Sequence, residues 1–165
     1  MAENTEAMNG QDAAAEQQGK FAIHKIYVKD LSFETPNSPE VFQDEWQPSV
    51  NMDLSNGARE LGAPYYEVVL SVTVTVTSGD KTLYLAEVQQ AGVFHIEGLD
   101  EESIHRLTAT ACPNILFPFA REVVSDLVIR GGFPQLLLAP VNFEALYLQQ
   151  LQQQAAQPET GQSKH

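Results

Sequence analysis

The chain has 165 residues, 22 of them acidic and nine basic, for a formal charge of −13. That length fits one domain, and that field repels nucleic-acid phosphates and anionic lipid, so neither is an expected partner. A lone cysteine excludes an internal disulfide, and no apolar run approaches the about 20 residues a bilayer span needs, which excludes direct membrane insertion.

Residues 1–19 hold no Ile, Leu, Val or aromatic side chain and read as a disordered arm, as does the tail 157–165. Between them, 20–156 reads as the folded domain. Segment 21–34, FAIHKIYVKDLSFE, is extended but shows no cleanly polar face on either parity. Segment 35–48 carries three prolines and no period, which predicts a long crossover loop. In 49–55, Val50, Met52 and Leu54 alternate with polar residues, so a short strand is expected, turned by NGARELGAP. The clearest alternation is in 65–77, YYEVVLSVTVTVT, where β-branched residues dominate. SGDK at 78–81 reads as a hairpin turn, and 82–96 as the returning strand with a bulge at Gly92.

The period then changes. Asp100 can cap a helix that carries Glu101 and Glu102 in its first turn and stops before Pro113. A second helix is expected over 114–130, ended by Gly131-Gly132, and a third over 142–157 with Asn142 as its cap. The apolar stretch 133–140 reads as an extended connector. Four strands followed by helices give an α+β class: a four-stranded antiparallel sheet with helices packed on one face.

Two features ask for more than a monomer. Helix 114–130 carries apolar residues on too many sides for one sheet face to cover, among them Ile115, Phe119, Val123 and Ile129. Strand 21–34 has apolar residues on both parities, and an unpaired strand edge recruits other chains. Between residues 30 and 67 stand eight acids and one base, Arg59, a field that suits a basic partner or serves only solubility.

Enzyme chemistry finds little to stand on. Cys112 has no base obviously at hand and no cysteine-enzyme signature around it, so burial explains it better than nucleophilic attack. His24, His95, His105 and His165 are not spaced as metal ligands, and no phosphate-binding glycine motif occurs, so no cofactor, metal or ATP is expected. Surplus apolar and aromatic residues remain: Val41, Phe42, Trp46, Phe133, Leu136, Leu137 and Leu138.

The segments KDLSFETPNSPEVFQDEWQP, YYEVVLSVTVTV, EVQQAGVF, CPNILFPFARE and GGFPQLLLAPVNFEALYLQQLQQQ together resemble SecB, a family of cytosolic protein-export chaperones. The resemblance runs over roughly 20–154, in order. It implies a dimer-of-dimers homotetramer and a holdase that binds unfolded precursors without ATP and hands them to the SecA motor. It places a substrate groove at Trp46, Phe119 and Tyr147 over a floor of Val50, Met52 and Leu54. It places the SecA contact on Asp30, Glu34, Leu85 and Glu87. It reads Pro113 and Pro118 as markers of a helix boundary and a first turn, and Cys112 as structural. Two alternatives stay open: a related holdase serving a toxin–antitoxin pair, and a small α+β enzyme with an aromatic pocket.

Overall fold

A computed structural model describes residues 18–157; most of the expected N-terminal arm and of the tail lies outside that range. Four strands, β1 (Lys20–Glu34), β2 (Pro48–Gly62), β3 (Tyr65–Ser78) and β4 (Lys81–Glu97), are followed by α1 (Glu101–Ala109), α2 (Ala111–Arg130) and α3 (Phe143–Ala156). All pairings are antiparallel, in the order β1-β4-β3-β2. Consecutive strands β1 and β2 therefore lie on opposite edges, joined by residues 35–47 with a short 3-10 turn at Glu40–Gln43.

β3 and β4 form as the alternation predicts. Val68, Leu70, Val72, Val74 and Val76 are buried on one face, opposite Gly92, Gln90, Val88, Ala86 and Tyr84. α2 packs on that inner face, placing Leu116, Phe117, Ala120, Val124 and Val128 in the core.

β1 corrects the sequence reading. Its register against β4 slips at His24 and again at Lys29. Each slip inserts one residue and shifts the parity by one. Phe21, Ile23, Ile26, Val28, Leu31 and Phe33 thereby all fall on the inner face, opposite Ile96, Phe94, Gly92, Gln90, Val88 and Ala86. The mixed parity was two bulges, not a two-faced strand. Gly92, expected to bulge, sits in regular register with Ile26 and Val68. Its missing side chain serves packing: a Cβ there would lie 2.8 Å from the Phe94 ring and 3.0 Å from a Leu116 methyl.

β2 is longer than expected, because residues 56–62 continue the strand and only Ala63-Pro64 turns the chain. The break between α1 and α2 falls at Thr110, not before Pro113. Thr108 Oγ1 and Thr110 Oγ1 donate to the carbonyls of His105 and Arg106, at 3.0 and 2.7 Å, and Thr110 leaves helical geometry. Pro113 then stands in the first turn of α2, where its missing N–H is harmless. Pro118, expected near a first turn, lies inside α2 and removes one helical hydrogen bond there. The caps came out as read. Asp100 accepts from Ser103 N at 2.7 Å and Asn142 from Ala145 N at 3.0 Å. At the end of α2, the N–H groups of Gly132 and Phe133 donate to Ile129 and Val128, and Gly132 takes the left-handed φ of 86° that this motif requires.

Candidate functional site

The residues expected to bind a client divide between two clefts and one outlying position. On the inner face of edge strand β2, Val50, Met52 and Leu54 form a row opposite Val76, Val74 and Val72. One end opens into a 150 Å³ cleft lined by Trp46, Val50, Val76, Leu83, Tyr84, Phe133 and Leu136. Loop 35–47 holds Trp46 there: its indole N–H donates to the Val41 carbonyl at 2.7 Å and its ring stands 5.4 Å from that of Phe133. Phe133 is the hub, with Phe33, Phe42 and Tyr84 also against it, the last at 4.8 Å. The loop is moored to the β3–β4 hairpin by a Lys81–Asp44 ion pair at 2.8 Å and by Asn37 donating to the Thr82 carbonyl.

The other end of the row reaches α3. Leu54 and Tyr147 line a 30 Å³ crevice with Leu70, Phe143 and Leu146. Beside it lies a 240 Å³ cleft, where Tyr147 joins Asn56, His105, Thr108, Gln150 and Gln154. α3 is tethered over these spaces by Arg106 pairing with Glu144 and by the Tyr147 hydroxyl 3.4 Å from His105 Nδ1. Met52, between the two ends, is half-buried against the core. Trp46 and Tyr147 thus stand at opposite ends of one apolar row and do not share a pocket. Phe119 joins neither cleft; it lies 44% exposed on α2 beside Pro118 and Glu122.

Sequence reasoning missed Tyr84 and Asn56 as cleft residues and His105 as a neighbour of Tyr147. Tyr84 shares the inward parity of Ala86 and Val88, and only the fold brings Trp46 and Phe133 against that end of β4. Asn56 was assigned to a turn, although the apolar alternation ends at Leu54 while the strand does not. A further cleft, 520 Å³ at the start of α2 and α3, is open and takes in none of the expected residues.

The four residues expected to meet a basic partner come together. Glu34 is directly opposite Leu85, Ser32 opposite Glu87 and Asp30 opposite Gln89, all on the outer face away from the helices. Ser32 Oγ donates to Glu87 at 3.4 Å, and Asp30, Glu34 and Glu87 are exposed.

The same outer face contains a buried carboxylate, Glu67, only 3% exposed. Tyr27 donates to it, as do Lys29 at 2.9 Å and Arg59 at 2.5 Å. These donors, the Tyr27 hydroxyl foremost, hold its pKa down to about 2, and the carboxylate in turn raises that of Tyr27. Cys112 is fully buried, and desolvation pushes its thiol up to about 12, so it carries no thiolate near neutrality. Among the described residues no group of three His, Cys, Asp or Glu side chains is arranged to hold a metal ion, and no helix is long and apolar enough to cross a membrane.

Comparison with known proteins matches residues 14–154 to the family "Preprotein translocase subunit SecB". A protein-export protein SecB of Nitrosococcus oceani is 59% identical over 150 residues, covering 90% of this chain and 92% of that protein. One from Pseudomonas aeruginosa is 52% identical over 155 residues, covering 93% and 94%. A SecB-like chaperone of Mycobacterium tuberculosis, solved in complex with a peptide of the HigA1 antitoxin, shares the fold with a TM-score of 0.63 at 20% identity, covering 74% of this chain and 91% of that one. The chain belongs to the SecB family of protein-export chaperones.

Proposed function

We propose that this chain is an ATP-independent, cytoplasmic holdase that binds unfolded export precursors and delivers them to SecA. The observation that carries the reading is the row Val50–Met52–Leu54 on an edge strand, with an aromatic cleft at one end and a Tyr147 crevice at the other. A holdase needs apolar surface that stays open in the free protein and asks for no particular sequence. An extended client lying along β2 would meet side chains every second residue, and the strand's outer backbone could add hydrogen bonds.

Assembly belongs to the same reading. Phe21, Ile23, Val28 and Leu31 on β1 and Phe119 and Ile129 on α2 are 39–52% exposed in the single chain. A homotetramer would cover them. The patch of Asp30, Glu34, Leu85 and Glu87 is the proposed SecA contact, with acids around one apolar side chain facing a basic partner. The antitoxin alternative draws only on a fold likeness at 20% identity, whereas the export proteins are similar at 52–59%.

The groove is tested by Val50→Asp, whose side chain is 48% exposed, so the change does not unfold the sheet. Expected is weaker suppression of aggregation of an unfolded precursor, with the tetramer mass by light scattering and SecA binding both retained. Full suppression by the stable variant would sink the groove. Glu87→Lys should do the reverse, weakening SecA binding while leaving client binding intact.

A further inference from the structure

The outer sheet face is divided in charge along its length. One end carries Asp30, Glu34, Glu87 and, on β2, Asp53. The other end gathers Lys20, Lys25, Lys29 and Arg59, four of the nine basic residues in a chain of charge −13. His24 and His95 flank Tyr65 there, each ring 5.4 Å from the tyrosine. The bulges of β1 create this end: His24 and Lys29 are the inserted residues, turned outward with Lys25. The acids on the same end are Glu67, already shared by Tyr27, Lys29 and Arg59, and Glu97, 3.5 Å from His95. Among the described residues Lys20 and Lys25 have no ion-pair partner. Among the described residues, a cationic end with two unpaired lysines is therefore left open on an otherwise acidic protein.

We infer that this end is the docking site of the chain's own N-terminal segment, residues 1–17. That segment carries Glu3, Glu6, Asp12 and Glu16 and no Lys or Arg. It joins the fold at Lys20, the first residue of β1, so it enters at the basic end and not at the acidic one. Reach is ample. An extended chain gains about 3.3 Å per residue, and neighbouring strands are about 4.8 Å apart. Asp12, eight residues before Lys20, can reach across the sheet to Arg59 on β2, and Glu16 needs only to return to Lys25. A tether this short holds the carboxylates at an effective concentration in the millimolar range, enough to make individually weak ion pairs count together. The segment has no apolar side chain beyond its methionines and alanines, so the apolar clefts offer it nothing. Its consequence is electrostatic: the docked carboxylates mask the one cationic region of the outer face, and both ends then present the same sign to a basic partner.

The test uses the full-length chain. Zero-length carbodiimide coupling followed by mass spectrometry should join arm carboxylates to Lys25 at low salt and lose that product at 1 M NaCl, where screening reaches about 3 Å. The variant E3Q/E6Q/D12N/E16Q should abolish the product and shift the backbone amide resonances of His24, Lys25 and Arg59. It should also gain retention on vesicles containing phosphatidylserine, because the lysines are uncovered. Lys25→Gln should give the same Arg59 shift in weaker form. Amide changes confined to residues 1–19 in the arm variant would overturn the inference. So would coupling seen only between different chains in a mixture of isotope-labelled and unlabelled protein, or vesicle binding equal in wild type and variant.

Discussion

The two edge strands are each 15 residues long and solve the same problem differently. β1 carries six apolar residues on an irregular pattern and uses two bulges to bring them all to the inner face. β2 keeps strict alternation, with three apolar residues in a row, and then continues with Asn56, Ala58 and Glu60 at the inward positions. Bulges twist and interrupt an edge, which discourages indiscriminate pairing along it. β1 therefore offers a broad apolar face but a backbone edge broken twice along its length, whereas β2 offers a narrow apolar row with an edge that is regular as far as Glu60. The first suits a fixed neighbour matched side chain by side chain; the second suits changing extended segments. Both are tied to one carboxylate, Glu67: β1 by Tyr27 and Lys29 across the intervening β4, β2 by Arg59.

The largest effect should come from the core that lies between the two edges. Gly92→Val drives a side chain into Phe94 and Leu116, lifting α2 from the sheet. A loss of about 3 kcal/mol is expected, read as a lower denaturant midpoint, since overpacking a filled core costs this much. Next, Ile23→Lys with Leu31→Lys places two cations on the exposed inner face of β1. Each protomer should lose about 2 kcal/mol of assembly free energy, about 1 for each of the two half-exposed side chains, since only the exposed part remains to be buried. Light scattering should find smaller species with the melting temperature of the protomer little changed; an unaltered mass would show that β1 is not where copies meet.

Glu67→Gln should cost about 1.5 kcal/mol, the range for losing hydrogen bonds to a charged group whose cationic partners remain solvated. Its pH signature is specific. The folded pKa of Glu67, about 2, lies below the ordinary 4.5, so its stabilisation is complete above pH 4.5 and fades as pH falls toward 2. The variant should show a flatter stability curve across that window, and a parallel curve would mean that the carboxylate is not charged in the fold. The smallest effect separates the two edges. Arg59→Gln removes the only tie of β2 to Glu67 through a side chain 66% exposed, so no more than about 0.5 kcal/mol is expected. Tyr27→Phe, on the side of β1, should cost about 1 kcal/mol, because its hydroxyl is half-buried and is the foremost donor. Equal losses would erase the distinction.

What the sequence determined by itself was whatever depends on near neighbours in the chain. The Val-Thr alternation of 65–77, the Asp100 and Asn142 caps and the glycine stop after Arg130 are local physics, and all could be read without coordinates. The family was legible for the same reason, carried by short contiguous segments. Of the candidate site, the residues of the acidic patch and the row Val50–Met52–Leu54 could be named from the sequence, but their mutual placement could not. Register is a property of two strands at once. Only the tertiary structure decided that β1 bulges at His24 and Lys29, that Gly92 makes room for Leu116, and that β2 runs on through residues 56–62. In each case a pairing or packing partner far away in sequence overrode the local pattern. The separation of Trp46 from Tyr147 and the convergence of Tyr27, Lys29 and Arg59 on Glu67 follow from the tertiary arrangement, in which strand order places residues 40 positions apart in contact and the consecutive strands β1 and β2 at opposite edges.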